Sequence, residues 1–291
     1  QHRGHVAALL LEPIQGERGV YLPPPDYLRH VRALCTQHDV ALIFDEVQTG
    51  LGRTGTLLAA QHDGVTPDLL LLGKALGGGL FPLSACLFAH AWWDDDFALR
   101  HSATFANHNI TSRVALAVLD QLVGPDPSPD APALTPATGG LIAHAAALGT
   151  RLQRRLQSLP ARFPHAVSAV RGRGLMAAID LCAAPADDGF LPGYLVHQGL
   201  WAYAFAATLA ARHAVLVLPT LGCGHTLRIA PPLIVDRAQI DSACDALEQV
   251  FAQIESRDTA ALVRGLNAHR PSPPPHGPGR TPPRIVLPAP P

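Results

Sequence analysis

Short apolar runs alternate with amphipathic stretches through the first part of the chain. Val6–Leu11 (VAALLL) and Val40–Phe44 (VALIF) read as buried strands, and Leu69–Leu72 and Ser84–Ala89 as two more. Asp26–Gln37 has a helical period, with Leu28, Val31 and Leu34 on one face and prolines ahead of it. Asn109–Val123 predicts a longer helix that turns Val114, Leu116, Ala117, Val118, Leu119 and Leu122 inward. Strands that are apolar on both faces and alternate with helices predict an α/β fold with a mostly parallel sheet.

Residues 124–140 break this rhythm with prolines and glycines, which predicts a connector. The second half has a different pattern. Leu141–Leu159 predicts a helix, Val167–Val170 and Leu175–Leu181 two strands around Arg-Gly-Arg-Gly, and Val215–Leu218 and Thr226–Ala230 two more. Asp236 with Gln239 forms a capping-box signature for a helix to about Ile254. The expected organisation is residues 1–123 in a large domain, 141–268 in a small α+β domain, and 269–291 as a tail. Ten of the last 21 residues are proline, which predicts an extended segment or a linker to another module.

Composition narrows the function classes. A net charge of -1 gives no general attraction to nucleic acid or anionic membrane. The longest nearly apolar run, Leu200–Ala211, is too short to span a bilayer. The five scattered cysteines form no CxxC pair, which argues against a zinc site or a disulfide framework and favours a reducing, cytoplasmic setting. The chain has no signal-peptide layout and does not start with Met, so it reads as a piece of a longer protein.

One count carries more weight. Of 22 basic residues only Lys74 is a lysine. It stands just past an apolar strand, before Gly77, Gly78 and Gly79, whose flexible backbone lets a ligand come close. The order is wrong for a phosphate-binding Walker loop. Lysine, unlike arginine, can lose its proton and act as a nucleophile. Asp45 occupies the equivalent place after the strand VALIF, where parallel sheets bind ligands. Glu46 beside it raises the idea of a metal site, but no third ligand follows at matching spacing. An amine for a Schiff base and an acid for a pyridine nitrogen are the two groups that pyridoxal phosphate requires.

The motifs then point to a family. EPIQGE (Glu12–Glu17), DEVQTGLGRTG (Asp45–Gly55), PDLLLLGKALGGG (Pro67–Gly79), HSATF (His101–Phe105), RGRGLM (Arg171–Met176) and LRIAPPL (Leu227–Leu233) occur in order. In this the chain resembles the class III aminotransferases, pyridoxal-phosphate enzymes of fold type I. The resemblance implies that Lys74 carries the cofactor as a Schiff base and shuttles a proton. It implies that Asp45 pairs with the pyridinium nitrogen, that Gln48 bonds the ring hydroxyl oxygen and that Val47 packs on a ring face. Thr104 would reach the cofactor phosphate of a neighbouring subunit, making the active form a homodimer. Arg228 would clamp a substrate carboxylate, and Glu17 would pair with Arg228 when an omega-amine donor is bound.

The expected reaction moves an amino group from an amine or amino acid to a 2-oxo acid, with 2-oxoglutarate as the expected acceptor. The same lysine and acid would also serve an aminomutase or decarboxylase, and a colourless scaffold module is the reading from another class. The resemblance further implies that the same-subunit phosphate loop and the aromatic-His-Gly segment precede residue 1. The chain would then hold the later half of the large domain, with an apolar sheet edge exposed.

Overall fold

The computed structural model describes residues 6–100, 104, 106, 108–124, 140–183 and 190–256. The first sheet has the order β1 (Ala8–Leu11), β2 (Ala41–Asp45), β3 (Leu69–Leu72), β4 (Ala85–Phe88). Its first three strands run parallel and β4 is antiparallel to β3. Helix α1 (Tyr27–Gln37) makes the parallel crossover between β1 and β2 and packs Leu28, Val31 and Cys35 on Leu42 and Phe44. These three residues sit at i, i+3 and i+7, the stripe that faces a sheet. Leu34, expected on that face, is exposed, because Cys35 lies closer to the stripe.

β1 departs from the expected buried strand: Leu10 is 58% exposed. It has β2 as its one neighbour among the described residues, so its outer edge and part of its surface face solvent. Helix α2 (Asp95–Arg100) follows β4, and α3 (Asn109–Val123) has the predicted bounds. In α3 only Leu122 is fully buried, while Leu116 and Ala117 point outward. The helix rests one side on Leu51, Leu72, Leu76 and Ile142, and positions about 180° away around its axis are exposed among the described residues. Of the connector expected at 124–140, residues 125–139 lie outside the described residues and Gly140 opens the next helix; the expected tail 269–291 and residues 257–268 of the expected small domain also lie outside them.

The second sheet is antiparallel throughout, in the order β5 (Val167–Arg173), β6 (Met176–Leu181), β8 (Cys223–Ile229), β7 (Leu218–Thr220). One face carries α4 (Gly140–Gln157), the short α5 (Leu159–Arg162), α7 (Trp201–His213) and α8 (Arg237–Glu255), with α6 (Phe190–His197) beside α7. Their core includes Leu152, Leu156, Ile179, Phe205, Leu227 and Phe251. The strand expected at Val215–Leu218 starts only at Leu218, since Ala214 takes a left-handed φ of 54° and the chain needs residues 215–217 to leave α7. The apolar run at 200–211 is α7, buried through Trp201, Phe205 and Leu209. Asp236 caps α8 as predicted, its carboxylate accepting from Gln239 N at 2.7 Å. No described helix is long and apolar enough to cross a membrane.

Candidate active site

The site begins at the carboxyl ends of two adjacent parallel strands. Asp45 closes β2 in register with Leu71 of β3, and Lys74 stands three residues further along the neighbouring strand. Successive strands lie about 4.8 Å apart, so the acid and the amine rise from neighbouring tracks. Asp45 is half-buried and its Oδ1 accepts from Val47 N at 3.0 Å, which turns the chain after the strand. Lys74 is exposed and holds φ 46°, a left-handed backbone that costs a non-glycine residue roughly 1–2 kcal/mol. Strain of that kind is retained mainly where function fixes a side chain.

Glu46 points the other way, as consecutive residues leaving a strand do. It is 1% exposed. Its carboxylate accepts from Ala59 N at 2.7 Å, Ala60 N at 2.8 Å and Thr49 Oγ1 at 2.9 Å. Burial raises its pKa, and these three donors do not fully offset that. Glu46 is therefore a loop anchor, and no group of acids, histidines and cysteines among the described residues could hold a metal.

Lys74, Val47, Gln48, Arg53, Glu17 and Arg228 line one cleft of about 470 Å³, closed on the side of the second sheet by Leu216, Val217 and Leu218. Val47 packs on Gly73: a Cβ placed there would meet Val47 Cγ1 at 3.3 Å. Gly16, within the EPIQGE segment, leaves the space that Gln48 occupies, for a Cβ would lie 2.2 Å from Gln48 Oε1. Gly79, at φ 75° with open space around it, offers bare backbone to the cleft. Arg228, on β8, forms an ion pair with Glu17 across the cleft. An exposed amine, a carboxylate at the next strand end, an amide and a methyl-bearing face match the chemistry of pyridoxal phosphate. Asp45 is not among the residues that line the cleft, and Thr104 is an exposed turn residue outside it. His108 precedes α3 and is exposed, while His101 lies outside the described residues.

Arg53 and the segment 216–218 were not legible as site residues. Arg53 Nη1 donates to Leu175 O at 3.1 Å and to Pro231 O, and its own carbonyl accepts from Leu175 N at 3.0 Å. Burial lowers its pKa. It ties the loop after β2 to the segments flanking β6 and β8, and its partners are far away in sequence.

Residues 1–251 match the family model for class-III aminotransferases, and the chain belongs to that family. It is 43% identical over 245 residues to an ornithine aminotransferase of Bordetella pertussis, covering 84% of this chain and 51% of that protein. It is 39% identical over 236 residues to a putrescine aminotransferase of Pectobacterium atrosepticum, covering 80% and 44%. Among solved structures it resembles an amine transaminase from an uncultivated Pseudomonas species in its PLP-bound form, with a TM-score of 0.68, 33% identity, and coverage of 84% and 52%. These likenesses establish the fold-type I architecture. The chain spans about half the length of the curated relatives it matches.

Proposed function

We propose that the protein takes part in pyridoxal-phosphate-dependent amino transfer from an amine or amino acid to a 2-oxo acid, with 2-oxoglutarate as acceptor. The observation that carries this reading is the placement of the only lysine in the sequence, in a strained backbone at a parallel-strand end, in one cleft with Gln48 and Arg228. When bound, the cofactor supplies an electron sink for negative charge at the carbon that bears the amine. Lys74 is the anchoring amine and, once free, the base that moves a proton at that carbon. Asp45, at the end of the neighbouring strand, would pair with the ring nitrogen and keep it protonated. Val47 would support one ring face, and Gln48 would donate its amide N–H to the ring oxygen. Arg228 offers its planar fork to a substrate carboxylate. Glu17 neutralises Arg228 when the substrate has no carboxylate to place there. Thr104 reaches toward the phosphate site of a second copy, in a homodimer.

The test is borohydride fixation of pyridoxal phosphate followed by peptide mapping, with Lys74→Ala as control. Label on Lys74 that saturates at low cofactor concentration supports the reading. Label that rises linearly or falls on the terminal amine refutes a formed site. In the cofactor-loaded protein, Glu17→Ala should change the ratio of glutamate to omega-amine turnover.

A further inference from the structure

The segment that carries Glu17 is a small hairpin. Gln15 and Tyr21 exchange backbone hydrogen bonds at 3.0 and 3.1 Å, and the tip between them holds Gly19 at φ 121° and the buried Val20 at φ 56°. The tip closes on itself through Gly19 N and Val20 N, which both donate to Gly16 O at 3.2 Å, and buries Val20 against Ile14 and Met176; a side chain from the second sheet adds a further hold. Arg171, on β5, donates from Nε to Gly19 O at 2.6 Å. Its guanidinium lies over the Tyr21 ring, 4.1 Å from the centroid. Its two remaining nitrogens fork onto Asp180, with Nη2–Oδ1 at 3.0 Å. Asp180 Oδ1 also accepts from Thr226 Oγ1 at 2.7 Å. The φ of 121° favours glycine at Gly19, and Arg171 fills the space beside it, where a Cβ would fall 2.8 Å from Nη2.

The sheet places this anchor beside the substrate arginine. Arg171 is in register with Ala178, Ala178 with Arg228, and Asp180 with Thr226. Thr226 and Arg228 are two apart on β8 and share one face. The Arg171–Asp180 pair is well buried, at 17% and 14% exposure, whereas Glu17 remains 47% exposed. The anchor is therefore more enclosed than the acid it presents.

We propose that Arg171 is a positioning residue: by pinning the hairpin it holds Glu17 over Arg228, and so sets how strongly Glu17 competes with a substrate carboxylate for that arginine. The inference rests on the reading of Arg228 as a carboxylate clamp. Loosening the hairpin weakens the Glu17–Arg228 pair, so ligands with a carboxylate at that end bind more tightly, while ligands without one gain nothing.

Glutarate, an unreactive dicarboxylate, tests this by equilibrium binding to the cofactor-loaded protein, with butylamine as the ligand that has no carboxylate. Arg171→Met should tighten glutarate binding about three- to tenfold and leave butylamine no tighter. Tyr21→Ala, at an exposed ring, should act in the same direction with less risk to folding. In a Glu17→Gln background, which itself tightens glutarate binding, both substitutions should add nothing, since their effect runs through Glu17. Equal effects in the two backgrounds, or parallel shifts for both ligands, would overturn the proposal. So would failure of glutarate to bind the Glu17→Gln protein, which would remove Arg228 as a clamp. Amine turnover measured separately distinguishes this from failure of the amino-transfer reading: glutarate can obey the cycle in a protein that transfers no amine.

Discussion

Replacing Glu46 separates its structural role from that of its neighbour Asp45. Three donors converge on the Glu46 carboxylate, and Ala59, Ala60 and Thr49 are as buried as the acid itself. In Glu46→Ala the two amides lose their acceptor where water cannot replace it, at about 1–3 kcal/mol each. The substitution also releases the burial penalty on the carboxylate, which the raised pKa reports, so the expected net loss is about 2–4 kcal/mol at neutral pH. Glu46→Gln keeps one acceptor oxygen and turns an NH2 toward a donor, for a loss of about 1–2 kcal/mol.

The sign with pH follows from the direction of the shift. A carboxyl whose folded pKa lies above its unfolded value holds a proton in the folded state that the unfolded state has released. Its contribution is full below the unfolded value of 4.5 and is lost as pH rises through the folded pKa. The stability difference between the unsubstituted protein and Glu46→Gln should therefore shrink as pH rises from that point. Urea unfolding followed by circular dichroism, at constant m, gives both numbers. A Glu46→Ala protein within about 0.5 kcal/mol of the parent, or a difference that grows with pH, would refute the anchor argument.

Three further outcomes follow from other parts of the fold. Gly174→Ala should destabilise by about 2–4 kcal/mol in the same assay, because φ is +59° and a Cβ would lie 2.4 Å from the Thr54 carbonyl carbon. The hydrogen bond from Arg162, helped by Arg155, holds the Glu248 carboxyl below the usual range against its partial burial; Glu248→Gln should cost about 1 kcal/mol at neutral pH. Since that pKa is depressed, the difference is present above 4.5 and disappears as pH falls through the folded value, which an acid titration of stability reads directly. Burial pushes the Cys244 thiol up to about 11, so mass spectrometry after brief iodoacetamide treatment of the native protein should find exposed Cys86 modified and Cys244 untouched.

The sequence by itself determined the local order of elements and the chemistry of the strand ends. Apolar runs located β2 and β3, the bounds of α3 agreed to the residue, and Asp236 announced its helix, because strand burial, helical period and capping are properties of a few neighbouring residues. Lys74 and Asp45 stood out for the same reason: each ends an apolar strand, and a parallel sheet opens at that end.

Tertiary structure decided the rest. Which apolar residues are covered depends on what lies across from them, so Leu10, Leu34 and Leu116 point to solvent despite their period. Glu46 and Asp45 are adjacent and alike in chemistry, yet only the approach of the 59–60 backbone makes Glu46 an anchor. The Glu17–Arg228 pair joins residues 211 apart, and the Arg171–Gly19 bond joins residues 152 apart. No periodicity encodes such contacts. They arise when the second sheet packs against the hairpin that follows β1, and that packing is where the cleft acquires its charge.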